Sequence, residues 1–170
     1  MLWRYGEFDI DSDPNRIDYE RVYDYLRTTY WASDRSFSEV RAAWERSHPV
    51  FGVYARHFGS LQVGTARVVT DTRTFGWLAD VFVDPRYRGE GVGKFLVQCV
   101  IEHPDCSNLR LFLLGTRDAH GLYARYGWVP LEAPERFMVR TADGGGRCCG
   151  TPKADSARTP NLDPTSARPT

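Results

Sequence analysis

Val81-Phe82-Val83-Asp84-Pro85-Arg86-Tyr87-Arg88-Gly89-Glu90-Gly91-Val92-Gly93-Lys94 is the stretch on which the reading of this chain turns. A β-branched, apolar run enters a loop holding three glycines, and an amphipathic helix is predicted to leave it. Glycine lets the main chain approach a ligand closely. A helix start offers unpaired N–H groups and the positive end of a dipole, a combination suited to phosphate. Arg88 and Lys94 add positive charge at the same place. The stretch therefore reads as an anion cradle, and a diphosphate is the natural guest. The dinucleotide pattern G-x-G-x-x-G fails, because counting from Gly89 the sixth position is Lys94. The nucleotide loop G-x-x-x-x-G-K-[ST] fails as well, with Arg88 in place of its first glycine and Phe95 in place of its hydroxyl. A plain turn before a helix fits the glycines too.

Outward from that stretch, the predicted elements alternate. Upstream lie three strand-like runs, Val50–Arg56, Val63–Thr70 and Trp77–Val83, separated by turn-like spacers and expected to form an antiparallel meander. Before them, Tyr19, Val22, Tyr23, Leu26 and Tyr30 recur at helical spacing behind a cap, Asp18. Ser36 and Glu39 make a capping box for a second helix with Phe37, Val40 and Trp44. Trp3–Phe8 is expected to supply one first strand. Downstream, a helix is predicted from about Gly93 to His103, a strand at Leu109–Gly115, a short helix at about Ala119–Tyr126 and a last strand at about Arg136–Arg140. Hairpins followed by one βαβ unit make a mixed α+β sheet. Residues 141–170 hold four Gly, four Pro and a single large aliphatic residue, Leu162. Too little there can be buried to offset the entropy of ordering, so a folded domain over 1–140 and a disordered tail over 141–170 are expected.

The whole chain is 170 residues with 22 basic and 22 acidic side chains. That balance argues against nucleic acid or an anionic membrane as a main partner, since both require a basic excess. No apolar run nears the roughly 18 residues of a membrane span. The opening residues lack the basic-then-apolar order of a secretion leader, so a cytoplasmic location is expected. Cys99, Cys106, Cys148 and Cys149 fit neither a redox pair nor a zinc framework, and Cys99 reads as an inert buried thiol. His48, His57, His103 and His120 lack paired ligand spacing, so no metal is expected.

Two segments carry a resemblance. Arg88-Gly89-Glu90-Gly91-Val92-Gly93 matches the [QR]-x-x-G-x-[GA] signature of the GNAT acyltransferase superfamily, and Val83-Asp84-Pro85-Arg86-Tyr87 is similar to the strand end before it. Leu122-Tyr123-Ala124-Arg125-Tyr126-Gly127-Trp128 resembles that family's later landmark, L-Y-x-[KR]-x-G-[FW]. The resemblance covers about residues 50–140 and implies a largely antiparallel central sheet with a splayed parallel pair and flanking helices. It implies acetyl-CoA as co-substrate and direct attack of a primary amine of a small molecule or peptide on the thioester in a ternary complex. It further implies that main-chain groups of Val81 and Val83 pair with the pantetheine arm. N–H groups of Gly89, Gly91, Val92 and Gly93 would hold the pyrophosphate, helped by Arg88. Where the family often has Asn, seven residues before Tyr123, this chain has Thr116, and the resemblance implies that its hydroxyl takes the coenzyme contact with a shorter reach.

For proton transfer, Tyr123 is the donor to the departing thiolate. Asp80, which interrupts an apolar strand, is the first choice of base. His120 is the second, because histidine titrates near neutrality. Asp71 and Asp118 are rivals, though Asp118 also reads as a helix cap. Tyr30, Trp31, Phe75, Trp77 and Trp128 are candidates for an acceptor pocket, with Trp31 foremost. A homodimer is compatible with the sequence. Two other functions fit the cradle: an acyl-CoA sensor without turnover, and a small nucleotide binder.

Overall fold

A computed structural model describes residues 1–141, and Met1–Met138 form one compact unit within them. Its centre is a six-stranded sheet in sequence order, built from β1 (Leu2–Tyr5), β2 (Phe8–Asp11), β3 (Val50–Ala55), β4 (Leu61–Thr70), β5 (Phe75–Val83) and β6 (Leu111–Leu114). All neighbours are antiparallel except β5 and β6, which run parallel. The helices are α1 (Tyr19–Leu26), α2 (Phe37–Glu45), α3 (Val92–Glu102) and α4 (His120–Tyr123). This is the expected α+β architecture, with its meander and its crossover helix.

Strand β3 shows why the sheet needs cover on both sides. Every one of its residues is buried, and its side chains alternate between two clusters. Phe51, Val53 and Ala55 join Ile10, Val63, Val68 and Leu78 beneath the apolar face of α3, formed by Val92, Leu96, Val97 and Val100. Val50 instead joins Val22 and Leu26 of α1 and Val40 and Trp44 of α2. The two early helices begin as the sequence predicts. The Asp18 carboxylate accepts from the Arg21 N–H, and Ser36 with Glu39 closes a reciprocal capping box.

Three expectations change. The first strand is a hairpin, because Gly6 takes φ 53° and Tyr5 pairs with Phe8 across a two-residue loop. The last strand, Arg136–Arg140, does not form. Pro134 opens a short 3-10 turn through Arg136, and residues 137–141 have no regular structure. The short helix is α4 followed by a 3-10 turn, Ala124–Tyr126, which ends at Gly127 with φ 90°. Apart from Thr141, the expected tail lies outside the described residues, as do Cys148 and Cys149. Cys99 and Cys106 are buried free thiols, and burial pushes each up to about 12. Among the described residues no helix is long and apolar enough to cross a membrane.

Candidate active site

The site begins where β5 and β6 part. They pair only over Phe75–Leu78 and Leu111–Leu114, after which β5 runs on to Val83 without a parallel partner. On its other edge β5 bulges at the same place. Thr65 faces Phe82 and Arg67 faces Ala79, so Ala66 stands opposite both Asp80 and Val81. Asp80 takes φ 51°, a left-handed conformation that costs a non-glycine residue about 1–2 kcal/mol. The bulge turns Asp80 toward the connection between α1 and α2 and Val81 toward the gap.

A cleft of about 360 Å³ fills that gap. One wall is Val81–Val83, the other is Leu122 and Tyr123 of α4, and Trp31 from the α1–α2 connection closes a third side. The floor at one end is the loop into α3, with Arg88, Gly89 and Gly91–Lys94 lining it. Gly91 caps α3 at φ 85°, and a Cβ there would collide with the Tyr5 hydroxyl. Among the described residues no acceptor meets the N–H groups of Gly89, Gly91, Val92 or Gly93. Four such donors around a helix start are suited to an anion. The Arg88 Nε donates to the Val83 carbonyl at 2.8 Å, and its guanidinium rests 5.5 Å from the Phe82 ring centre. The guanidinium's outer nitrogens meet no acceptor among the described residues. Lys94 is exposed beside them, and its carbonyl accepts from the Tyr126 hydroxyl at 2.7 Å.

Tyr123 is 8% exposed, with its ring edge-on to Trp128. Burial pushes its phenol up to about 12, so it remains a proton-bearing donor across the neutral range. The other proposed proton carriers stand differently. The Asp80 side chain is 2% exposed and fully engaged. Its Oδ1 accepts from Trp31 Nε1 at 3.3 Å and Arg35 Nη1 at 3.1 Å; its Oδ2 accepts from Arg35 Nη1 at 3.1 Å and Arg67 Nε at 2.6 Å. A carboxylate has about four lone-pair sites, so none is left for an amine proton. Asp80, expected as the general base, thus has its lone pairs occupied by Trp31, Arg35 and Arg67, and of these Trp31 lines the cleft. His120 is exposed at the start of α4, outside the cleft lining. Asp71 lies at the opposite end of β5, where hydrogen bonds from the Thr74 hydroxyl and from the N–H groups of Arg73, Phe75 and Thr74 hold its carboxyl far below the usual range. Asp118 does not cap α4; at the entrance to that helix the Thr116 hydroxyl accepts from the Ala119 N–H at 3.0 Å, and Thr116 is not in the cleft wall.

Of the aromatic set only Trp31 lines the cleft. Tyr30 stands edge-on to it, Phe75 and Trp77 lie exposed on the sheet, and Trp128 packs on Phe112. Sequence reasoning missed Arg35, Arg67 and Tyr5. Arg67 carried a signal, since it is a charge inside an apolar strand and demands a buried partner of opposite sign.

Comparisons with known proteins bear on the family and the fold. Residues 19–128 match the family model described as the acetyltransferase (GNAT) family. A crystal structure of a Xanthomonas campestris pv. campestris protein assigned to that family is 39% identical, with TM-score 0.75, covering 82% of this chain and 96% of that one. A protein of Gibberella zeae, provisionally named an acetyltransferase, is 27% identical over 143 residues, 72% of this chain and 79% of its own. The glucosamine-6-phosphate N-acetyltransferase of Arabidopsis thaliana shares the fold at 17% identity and TM-score 0.56, covering 75% of this chain and 95% of that one.

Proposed function

The chain belongs to the acetyltransferase (GNAT) family, and on that premise we propose that it transfers an acetyl group from acetyl-CoA to a primary amine by direct attack. The observation that carries this reading is the row of N–H groups at Gly89, Gly91, Val92 and Gly93 without an acceptor among the described residues, lining the same cleft as Tyr123. The residues present fit the coenzyme. Gly91 holds a left-handed φ of 85° that disfavours any side chain, the donors suit a pyrophosphate, and the apolar faces of Val81, Val83 and Leu122 suit a pantetheine arm.

Bound acetyl-CoA would supply an activated acyl thioester. Gly89, Gly91, Val92 and Gly93 hold the pyrophosphate through their N–H groups, with Arg88 and Lys94 contributing charge. Because the Val83 carbonyl is already taken by Arg88, the sheet-like pairing to the arm falls mainly to the main chain of Val81. Trp31 excludes water from the reacting end, which strengthens each polar contact there. Tyr123 presents its phenolic O–H to the sulfur as charge develops. With its phenol near 12 it stabilises the thiolate chiefly as a hydrogen-bond donor, since full proton transfer to a thiol of ordinary acidity runs uphill. Thr116 is left with its role at the entrance to α4. Loss of the amine's proton is assigned to solvent at the open side of the cleft, with His120 the nearest histidine in sequence. The soluble domain over 1–140 and the cytoplasmic setting expected from the sequence are kept within this proposal.

Titration calorimetry with coenzyme A, followed by thiol release from acetyl-CoA over an amine panel, tests the reading. Saturable binding and amine-dependent release are expected. Absence of any saturable affinity overturns it, and binding without release across the panel favours the sensor instead.

A further inference from the structure

Arg35, Arg67 and Asp80 form a charge cluster at the acceptor side of the cleft that acetyl transfer as described leaves unused. Two guanidiniums on one carboxylate leave a single positive charge. Arg67 is committed to the protein: its Nε binds Asp80 and its Nη1 donates to Ser47 Oγ at 3.0 Å, with the side chain only 11% exposed. Arg35 is not. Both of its contacts with Asp80 run through Nη1, its Nε and Nη2 meet no acceptor among the described residues, and its side chain is 27% exposed. Arg35 lies on the same α1–α2 connection as Trp31. Arg35 Nη1 and Trp31 Nε1 both donate to Asp80 Oδ1, so the arginine shares its anchor with Trp31, which lines the cleft. On the other side of Trp31, Tyr30 accepts from the Arg117 N–H at 2.9 Å and carries the Arg117 guanidinium 3.8 Å from its ring centre. The acids here are used up or solvated: Asp80 is saturated, Asp118 is 66% exposed at 3.8 Å from Arg117, and Glu39, which feels the Arg35 charge, is exposed and accepts from the Ser36 N–H and hydroxyl.

We propose that the acceptor amine carries its own carboxylate, bound by the free edge of Arg35. This rests on the acetyl-transfer reading and names the substrate class for it. A guanidinium edge presents two parallel N–H donors that match the two carboxylate oxygens, and a flanking indole removes part of the competing water. Arg117 adds positive charge over Tyr30, the ring edge-on to Trp31. A basic peptide or polyamine would meet like charge there and be repelled, whereas an amino-acid-like acceptor places its acid on Arg35 and its amine toward the acyl group.

The test uses the full chain saturated with coenzyme A, titrated calorimetrically with the proteinogenic amino acids and with their methyl esters, beside thiol release from acetyl-CoA with the same panel. At least one free acid is expected to bind about tenfold or more tighter than its ester. Arg35→Gln should bring that ratio to near unity while leaving coenzyme affinity unaltered, and Arg35→Lys should restore part of it. Equal affinity for the best acid and its ester, an unchanged ratio in Arg35→Gln, or no binding of either form to coenzyme-loaded protein would overturn the proposal. Should acids bind and discriminate without any thiol release, the carboxylate site stands and the transfer reading falls.

Discussion

At the residue scale, Tyr123 and Asp80 are both buried polar side chains, one with an aromatic neighbour and the other among cationic donors. Tyr123 has no cation beside it to favour the phenolate, so burial holds its phenol near 12. Tyr123→Phe is therefore expected to lower kcat by about a hundredfold, the range of a lost proton donor, with coenzyme affinity within about twofold by calorimetry. The same upward displacement fixes the pH profile. The donor form persists until pH passes well above 10, so kcat should show no basic limb belonging to this group between pH 7 and 10. A falling limb in that range that vanishes in Tyr123→Phe would contradict the assignment. Asp80, by contrast, is buried with two guanidiniums and an indole around it. Replacing it with Asn leaves Arg67 facing an uncharged group in a largely buried place, a loss of about 3–5 kcal/mol that denaturant unfolding would read. An Asp80→Asn enzyme still folded in the assay should keep the acidic limb of kcat, because no base has been removed.

At the scale of elements, the loop from β5 into α3 is legible in the sequence because several local rules coincide there. A β-branched strand, closely spaced glycines and an amphipathic helix leave one arrangement of the main chain. The left-handed φ of Gly91 follows from that arrangement, whereas the collision its Cβ would make with Tyr5 does not. Tyr5 comes from the hairpin at the other edge of the sheet, a long-range contact that no local spacing encodes. Gly91→Ala should thus suffer twice, from about 1–2 kcal/mol of backbone strain and from overlap with the Tyr5 hydroxyl. Coenzyme affinity should fall at least about tenfold, the equivalent of 1.4 kcal/mol. Combining Gly91→Ala with Tyr5→Phe removes the hydroxyl but not the strain, so calorimetry should find affinity only partly restored. Full restoration would mean that backbone conformation at this cap carries no cost. The pair Arg67 and Asp80 lies between these cases. Each is a lone charge in a predicted buried strand, and antiparallel neighbours in the meander bring them together, yet the bulge that sets their register leaves no mark on composition.

At the scale of the molecule, the sheet divides two tasks. Strands β1 to β5, with α3 on one side and α1 and α2 on the other, bury the two apolar clusters, and the cleft opens where β5 and β6 part. Ile10 of the hairpin is fully buried in the larger cluster, so the N-terminal strands are structural members and not an accessory. Truncating that side chain, Ile10→Ala, should cost about 2–5 kcal/mol and lower Tm without altering coenzyme affinity of the folded fraction. Every side chain and N–H group placed in the cleft falls between Trp31 and Tyr123, inside the unit Met1–Met138. A chain ended at Thr141 is consequently expected to bind coenzyme A within about twofold of the full chain, a difference below about 0.5 kcal/mol, and to melt at a similar temperature. A marked loss of affinity on that truncation would assign residues 142–170 a part in holding the coenzyme, and the donors at Gly89–Gly93 would then be only a portion of the site.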